Sequence, residues 1–180
     1  MGAAGVAVHI LSGSPEQMRG RLEDKLRLDG ITWQSFVLKP NLKNVLRLRF
    51  RALRDQLGYK LPALLESCAE AVPEIAAAGV RETLFGDDAE ADAFVYCLYG
   101  DVVAGRVTAA ELARVCSGGR VYEDVAEQIA EYAEAIPKRE VLERVLIRLE
   151  GQSPPGDFDV YGRRVVPFYN YLQAALVVFE

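Results

Sequence analysis

The stretch Leu84-Phe85-Gly86-Asp87-Asp88-Ala89-Glu90-Ala91-Asp92 places four acidic residues where an apolar segment ends and a helix is expected to begin. Mg²⁺ prefers oxygen ligands and is commonly held by one or two carboxylates together with a substrate phosphate. Asp87, Asp88 and Asp92 are therefore candidate metal ligands. A second interpretation stays open, in which Asp87 or Asp88 caps a helix that begins near Ala89 and the other acids favour its positive end.

Two other positions carry groups that suit the same chemistry. An apolar run over residues 6–11 stops at a hydroxyl, Ser12, and Lys60 lies about where a helix is expected to begin. A phosphoryl group in transfer carries charge on its oxygens, so a hydroxyl donor, an ammonium group and a carboxylate-held metal are expected to stabilise it. Each residue also has an ordinary structural explanation, Ser12 as a turn or N-cap residue and Lys60 as a solvated lysine in a first helical turn.

In the order strand-Ser, helix-Lys and strand-Gly-Asp-Asp-x-x-x-Asp, the chain resembles the haloacid dehalogenase-like (HAD) hydrolase superfamily. Ser12 matches the second motif of that family, Lys60 the third, and Asp87 with Asp92 the fourth, whose pattern is Gly-Asp-x-x-x-x-Asp. The phrase Leu11-Ser12-Gly13-Ser14-Pro15, with Tyr96 shortly after the acidic motif, looks most like the phosphatidate phosphatase branch related to actin-patch proteins. The resemblance covers residues 6–103.

The resemblance implies a Rossmann-like parallel sheet flanked by helices and a Mg²⁺-dependent phosphatase that acts on a phosphate monoester. Ser12 would donate to a phosphoryl oxygen, and Lys60 would neutralise charge and orient the nucleophile. The remaining implied roles are Mg²⁺ binding by Asp87 with Asp88 or Asp92, and substrate binding by Gly13 and Ser14.

The nucleophile of the family has no match in this chain. That residue is the first Asp of an Asp-x-Asp motif on an N-terminal strand, and none of the eleven residues before Ser12 is acidic. The one Asp-x-Asp, Asp157-Phe158-Asp159, follows Ser153-Pro154-Pro155-Gly156, which is typical of a loop. We rank three explanations: a truncated piece of a longer hydrolase that lacks the first strand, a HAD-like fold that has lost catalysis and serves as a binding or interaction module, and an accidental match on an ordinary α/β domain.

A basic stretch precedes Lys60. No acidic residue occurs between Gly30 and Arg54, whereas the stretch contains Lys39, Lys43, Arg47, Arg49, Arg51 and Arg54. A patch of this kind can steer an anionic substrate or a lipid head group, and we expect Arg47 and Arg49 to contribute to substrate binding. A solvated helix face is the commoner meaning of such a charge run.

The composition is that of an enzyme-sized globular domain. The chain has 180 residues, of which 51% are hydrophobic and 26% charged, and its net charge of −5 argues against general nucleic-acid binding. No run reaches the length of a membrane span and the N-terminus lacks the pattern of a signal peptide, so we expect a cytoplasmic protein with a small phosphorylated substrate, which can be a lipid phosphate. Cys68, Cys97 and Cys116 lie far apart among apolar residues and are expected to be buried free thiols.

Hydrophobic periodicity predicts strands alternating with helices over residues 1–117, which is typical of a parallel sheet with ligands at the carboxyl ends of its strands. The expected strands are 6–11, 35–38 and 82–85. The expected helices are 15–28, 45–57, 59–78, 89–103 and 109–115, the last with a capping box formed by Thr108 and Glu111.

Residues 118–180 are predicted to form a helical extension packed on this core. The expected helices are 122–135, 138–150 and 167–179, with a loop at 153–156. The last helix carries an apolar stripe at helical spacing, formed by Phe168, Tyr171, Leu172, Ala175, Leu176 and Phe179. This stripe is expected to pack on the core, and the alternative is a surface through which the protein forms a homo-oligomer.

Overall fold

The computed structural model describes residues 6–39, 53–70, 79–151 and 153–179. These residues form an α/β protein with parallel strands in two small sheets flanked by helices, which confirms the predicted class at that level. The chain divides into two compact units, Met1–Phe50 and Arg51–Glu180. None of the helices in the described ranges is long and apolar enough to cross a membrane.

The first unit contains a strand–helix–strand motif. Strand β1 (His9–Pro15) is followed by a 3₁₀ turn at Glu16–Met18, helix α1 (Arg19–Leu28) and strand β2 (Ser35–Lys39). The two strands pair in parallel with regular register from His9 opposite Ser35 to Ser12 opposite Leu38, and the register shifts before Pro15. Both predicted strands are therefore present, but β1 continues past the predicted end at Leu11.

The second unit is built on a three-stranded parallel sheet with the order β3-β4-β5. Its strands are β3 (Glu82–Asp87), β4 (Leu142–Arg148) and β5 (Val165–Phe168). Its helices are α2 (Leu53–Glu70), α3 (Asp92–Val103), α4 (Ala109–Gly118), α5 (Glu123–Ala135) and α6 (Tyr171–Phe179), and 3₁₀ turns span Pro155–Arg164.

The main core of this unit lies between the helices and one face of the sheet. Leu57, Leu61 and Leu65, spaced four residues apart on α2, are fully buried and share one helix face. They belong to the same cluster as Val145 and Ile147 of β4. Leu146, which points to the opposite face, packs with Phe168 and with Ala174 of α6, so β4 is buried on both faces.

The prediction of a helix over residues 138–150 is wrong. This segment contains β4, the central strand of the sheet. A parallel strand that is buried on both faces carries an unbroken apolar run, here Val145 to Ile147, and lacks the alternation that marks a half-buried strand. Because β4 and β5 supply two of the three strands in this sheet, residues 118–180 are not a purely helical extension.

Helix α2 also differs from the prediction. It runs without a break from Leu53 to Glu70, through Gly58 and Pro62, where two helices were expected to meet near residue 58. Pro62 therefore lies inside the helix and not in its first turn, and it has no N–H to donate to the carbonyl of Gly58. The remaining parts of the predicted helices 45–57 and 59–78, at residues 45–52 and 71–78, lie outside the described residues.

The helix boundaries elsewhere are partly as predicted. The capping box is confirmed, since Thr108 Oγ1 accepts from the Glu111 N–H and the Glu111 carboxylate accepts from the Thr108 N–H. The last helix begins at Tyr171 and not at Pro167, because Pro167 belongs to β5. Proline is tolerated there because β5 is an edge strand of the sheet.

Candidate functional site

The acidic motif lies at the carboxyl end of β3. Asp87 is the last residue of the strand, and α3 begins five residues later at Asp92. Between them, the Asp87 Oδ1 atom accepts a hydrogen bond from the Ala89 N–H at 2.9 Å. Ala91 occupies the N-cap position and makes no side-chain cap, so the interpretation of Asp87 or Asp88 as the helix cap is wrong. Asp87 instead shapes the turn that leads from the strand into the helix.

Asp92 is folded back against the strand. Its side chain is buried, with 3% of the residue exposed, and its Oδ2 atom accepts a hydrogen bond from the Asp87 N–H at 3.2 Å. A Cβ atom at Gly86 would lie 2.5 Å from both the Cβ and Oδ2 atoms of Asp92. Only glycine therefore fits at position 86, because its missing side chain is what allows the carboxylate to reach the backbone of the strand.

Lys60 brings a positive charge to the same place from the middle of α2. The residue is 4% exposed, and its Nζ atom donates to Asp92 Oδ1 and, at 2.6 Å, to Glu90 Oε2. The interpretation of Lys60 as a solvated lysine of a first helical turn is wrong, because the helix begins seven residues earlier and its buried face holds the ammonium group. Lys60, Glu90 and Asp92 therefore form one charged cluster.

Burial and ion pairing act against each other in this cluster. Burial disfavours the charge of Lys60, but the charge of Asp92 and the hydrogen bonds to Asp92 and Glu90 outweigh it, so the pKa of Lys60 is raised. Burial raises the pKa of the Asp92 carboxyl against the lowering influence of Lys60. Because the pKa of Lys60 lies above the ordinary value of a lysine, its ammonium group stays protonated at neutral pH.

Tyr96, which follows the acidic motif in the sequence, is buried beside this cluster. Its hydroxyl donates to the Phe85 carbonyl at 3.4 Å. Burial, followed by the negative charges of Asp92, Asp87 and Glu90, raises the pKa of the Tyr96 hydroxyl well above its usual value. Tyr96 therefore stays protonated and acts as a hydrogen-bond donor to the strand.

Asp88 has a different role from its neighbours. Its Oδ1 atom accepts from the N–H groups of Glu150 and Gly151 and its Oδ2 atom from the N–H of Ser153. Burial opposes the charge, but the backbone hydrogen bonds together outweigh it and lower the pKa of Asp88 to about 2. Its two carboxylate oxygens are engaged in fixing the segment that follows β4.

The described residues contain no group of three or more His, Cys, Asp or Glu side chains placed to hold a metal ion. The donor chemistry explains this, because Asp88 binds backbone amides and both oxygens of Asp92 are engaged by Lys60 and the Asp87 N–H. Asp87 is half-buried, and its Oδ1 atom accepts from the Ala89 N–H.

The other predicted site residues belong to the first unit. Ser12 ends the regular part of β1, and its Oγ atom accepts from the Ser14 N–H at 3.2 Å, with Gly13 between them. This bond is the turn role that serine commonly takes. Arg47 and Arg49 lie outside the described residues.

Of the predicted site residues, the structure brings together Lys60, Asp87 and Asp92. The sequence reasoning missed Glu90, which is the second partner of Lys60.

The second acidic motif, Asp157-Phe158-Asp159, lies in the 3₁₀ turns of Pro155–Arg164 and not at the end of a strand.

Comparison of the chain with protein-family models, with curated proteins and with solved structures found no match.

Proposed function

We propose that the chain is a HAD-like phosphate-monoester hydrolase that depends on Mg²⁺, or the C-terminal part of one, with its ligand bound at the carboxyl end of β3. The observation that carries the proposal is the convergence of Lys60, Asp87 and Asp92 at that strand end, through a glycine whose missing side chain admits the Asp92 carboxylate. The carboxyl ends of parallel strands are where α/β proteins bind ligands.

The proposed roles follow from the contacts. Lys60, kept protonated by Asp92 and Glu90, supplies the positive charge that a phosphoryl group needs. Asp87 would hold Mg²⁺ together with a ligand phosphate, and Asp92 positions Lys60 and the Asp87 backbone. Ser12 is proposed as a donor to the phosphate, and Gly13, Ser14, Arg47 and Arg49 as substrate contacts, from the family resemblance. A lipid phosphate is the substrate class suggested by the same resemblance.

A non-catalytic, ligand-binding HAD-like module is the second candidate. It is favoured by the position of the one Asp-x-Asp motif, which lies in 3₁₀ turns and not at a strand end where an aspartate nucleophile is expected. The two candidates share the binding site at β3 and differ only in turnover.

One pair of measurements separates them. Thermal unfolding is recorded with and without saturating MgCl₂ and inorganic phosphate, and hydrolysis of p-nitrophenyl phosphate and of a short-chain phosphatidate is measured on the same samples. A ligand present at about 100 times its dissociation constant stabilises the native state by about 2.7 kcal/mol. We expect this shift in the wild-type protein, its loss in Asp87→Asn, and no loss in Glu131→Gln, which removes an exposed acid of α5.

Each result has a distinct meaning. A ligand-induced rise in the unfolding temperature together with hydrolysis of a phosphate ester supports the hydrolase. Faster hydrolysis of the phosphatidate than of p-nitrophenyl phosphate identifies a lipid substrate. A shift without turnover supports the binding module. No shift in the wild-type protein, or an equal shift in Asp87→Asn, would show that neither candidate is correct.

A further inference from the structure

Helix α6 is almost entirely apolar, with Gln173 as its one polar residue besides the hydroxyl of Tyr171. Its nine residues, Tyr171–Phe179, include no charged side chain. Ala174 is buried, and it and Val177 pack on the sheet with Leu146 and Phe168. A helix that is hydrophobic on all sides is normally buried on all sides. Among the described residues, only the side of α6 that carries Ala174 and Val177 is covered.

The uncovered side carries three residues of the apolar stripe seen in the sequence, whereas Phe168 of that stripe is buried in β5. Leu172 is 71% exposed, Leu176 61% and Phe179 89%. At 3.6 residues per turn, these three residues lie within an arc of about 60° on the side of the helix opposite Ala174 and Val177. The expectation that the stripe packs on the core is therefore wrong for this face, since the helix reaches the core through its other side.

The size of this surface matches one side of a protein interface. Tyr169 and Tyr171, at the start of the helix, are also more than half exposed. With aromatic side chains presenting roughly 150–250 Å² each, the exposed apolar patch amounts to roughly 700 Å². Stable interfaces bury about 800 Å² per partner, and patches of this size on a monomer mark interaction sites.

We propose that α6 forms a symmetric homodimer by packing its Leu172–Leu176–Phe179 face against the same face of a second copy of the chain. Helix α6 contributes no charged residue to the Leu172–Leu176–Phe179 face, and the nearest charged contact of the helix in the described residues is that of Arg148 with Tyr171 at its first turn. Such a face requires an equally apolar partner surface, and the second copy provides one of equal area. A two-fold axis brings the same patch of both copies together, so that each residue of the patch is buried in both copies.

The test is sedimentation equilibrium of the full chain over a range of concentrations. The wild-type protein is expected to sediment as a dimer of the 19.8 kDa chain. The double substitution Leu172→Lys with Leu176→Lys places charges at the centre of the interface on both sides and is expected to weaken association by at least about 100-fold. Val160→Lys is the matched control, because Val160 is 81% exposed and lies in the 3₁₀ turns outside α6. It should leave the dimer intact.

Circular dichroism and thermal unfolding establish that each variant is folded, and the milder Leu176→Ala, which should weaken the dimer less, guards against a folding defect in the double variant. A wild-type protein that stays monomeric at about 100 μM, far above the dissociation constant of a stable interface, would refute the proposal. So would a dimer that survives the double substitution. A monomer that binds phosphatidylcholine–phosphatidylserine vesicles through Leu172 and Leu176 would assign the face to a lipid surface instead.

Discussion

Lys60 and Asp92 form the buried ion pair on which the candidate site is built, and removing one partner should be costly. Lys60→Met leaves the Asp92 carboxylate buried without its cation, which typically destabilises a protein by about 3–5 kcal/mol. We expect this loss in urea unfolding at pH 7. Burial raises the pKa of Asp92 in the folded state, so the loss should shrink as the pH falls and the carboxyl becomes neutral. A loss below about 1 kcal/mol, the value of an exposed pair, would contradict the buried geometry.

Gly86 tests the close contact between β3 and the Asp92 side chain. A Cβ at this position would overlap Asp92, so Gly86→Ala must displace the carboxylate from Lys60 or shift the strand. We expect a loss of about 1–3 kcal/mol, the usual cost of overpacking, together with loss of ligand binding. Gly118→Ala is the control, since a Cβ there meets nothing within 4 Å at the end of α4. Equal effects of the two substitutions would rule out a special role for Gly86.

Asp88 gives the protein a stabilising contribution that depends on pH. Burial opposes its charge, yet the backbone hydrogen bonds together lower its pKa from 3.8 to about 2. A carboxyl whose folded pKa is depressed stabilises the protein above its unfolded pKa, and this contribution is lost as the pH falls. Asp88→Asn should therefore cost about 1 kcal/mol at pH 7, and the difference from the wild-type protein should vanish between about pH 4 and 2. A difference that stays constant down to pH 2 would exclude this role.

At the level of elements, the central strand β4 should dominate the stability of the second unit. Leu146 is fully buried on the sheet face covered by α6. Leu146→Ala is expected to cost about 2–5 kcal/mol, because it removes buried methyl groups and leaves a cavity. Glu143→Ala, at an exposed position of the same strand, should change stability by less than about 0.5 kcal/mol. Chemical denaturation of both variants compares the two, and a small loss for Leu146→Ala would place this segment outside the core.

Local signals predicted some elements and failed at others for physical reasons. The capping box of Thr108 and Glu111 and the strand that ends at the acidic motif are set by short-range chemistry, and both are found close to where they were expected. The segment of β4 is apolar because it is buried on both faces of the sheet in the tertiary structure. Its hydrophobic pattern therefore does not distinguish a strand from a buried helix.

The candidate site shows the same division. The sequence indicated Asp87, Asp92 and Lys60 through their spacing, but hydrogen bonds decide what each side chain can do. Asp88 resembles its neighbours in sequence, yet it binds three backbone amides of a segment more than sixty residues away. Such long-range contacts leave no periodicity or motif in the sequence by which they could be predicted.

For the whole molecule, the three cysteines report on the integrity of the core. Cys68, Cys97 and Cys116 are buried free thiols, as predicted, and burial raises the pKa of each, that of Cys97 to about 11. Because the thiolate is the reactive form, labelling with a thiol reagent at pH 8 should be slow in the native protein and complete at three sites after unfolding in urea. Rapid labelling of the native protein would contradict this packing.

The parallel pairing of β3 with β4 also determines how the second unit assembles in time. Leu84 pairs with Val145, which is 61 residues later in the chain, whereas Val145 pairs with Val165 only 20 residues away. Closing the longer loop costs more chain entropy, and it requires that the three helices between β3 and β4 have formed. We therefore expect β4 to pair with β5 before β3 pairs with β4. In pulsed hydrogen exchange during refolding, the amides between β4 and β5 should become protected first. The strand end that carries Asp87 is then completed last.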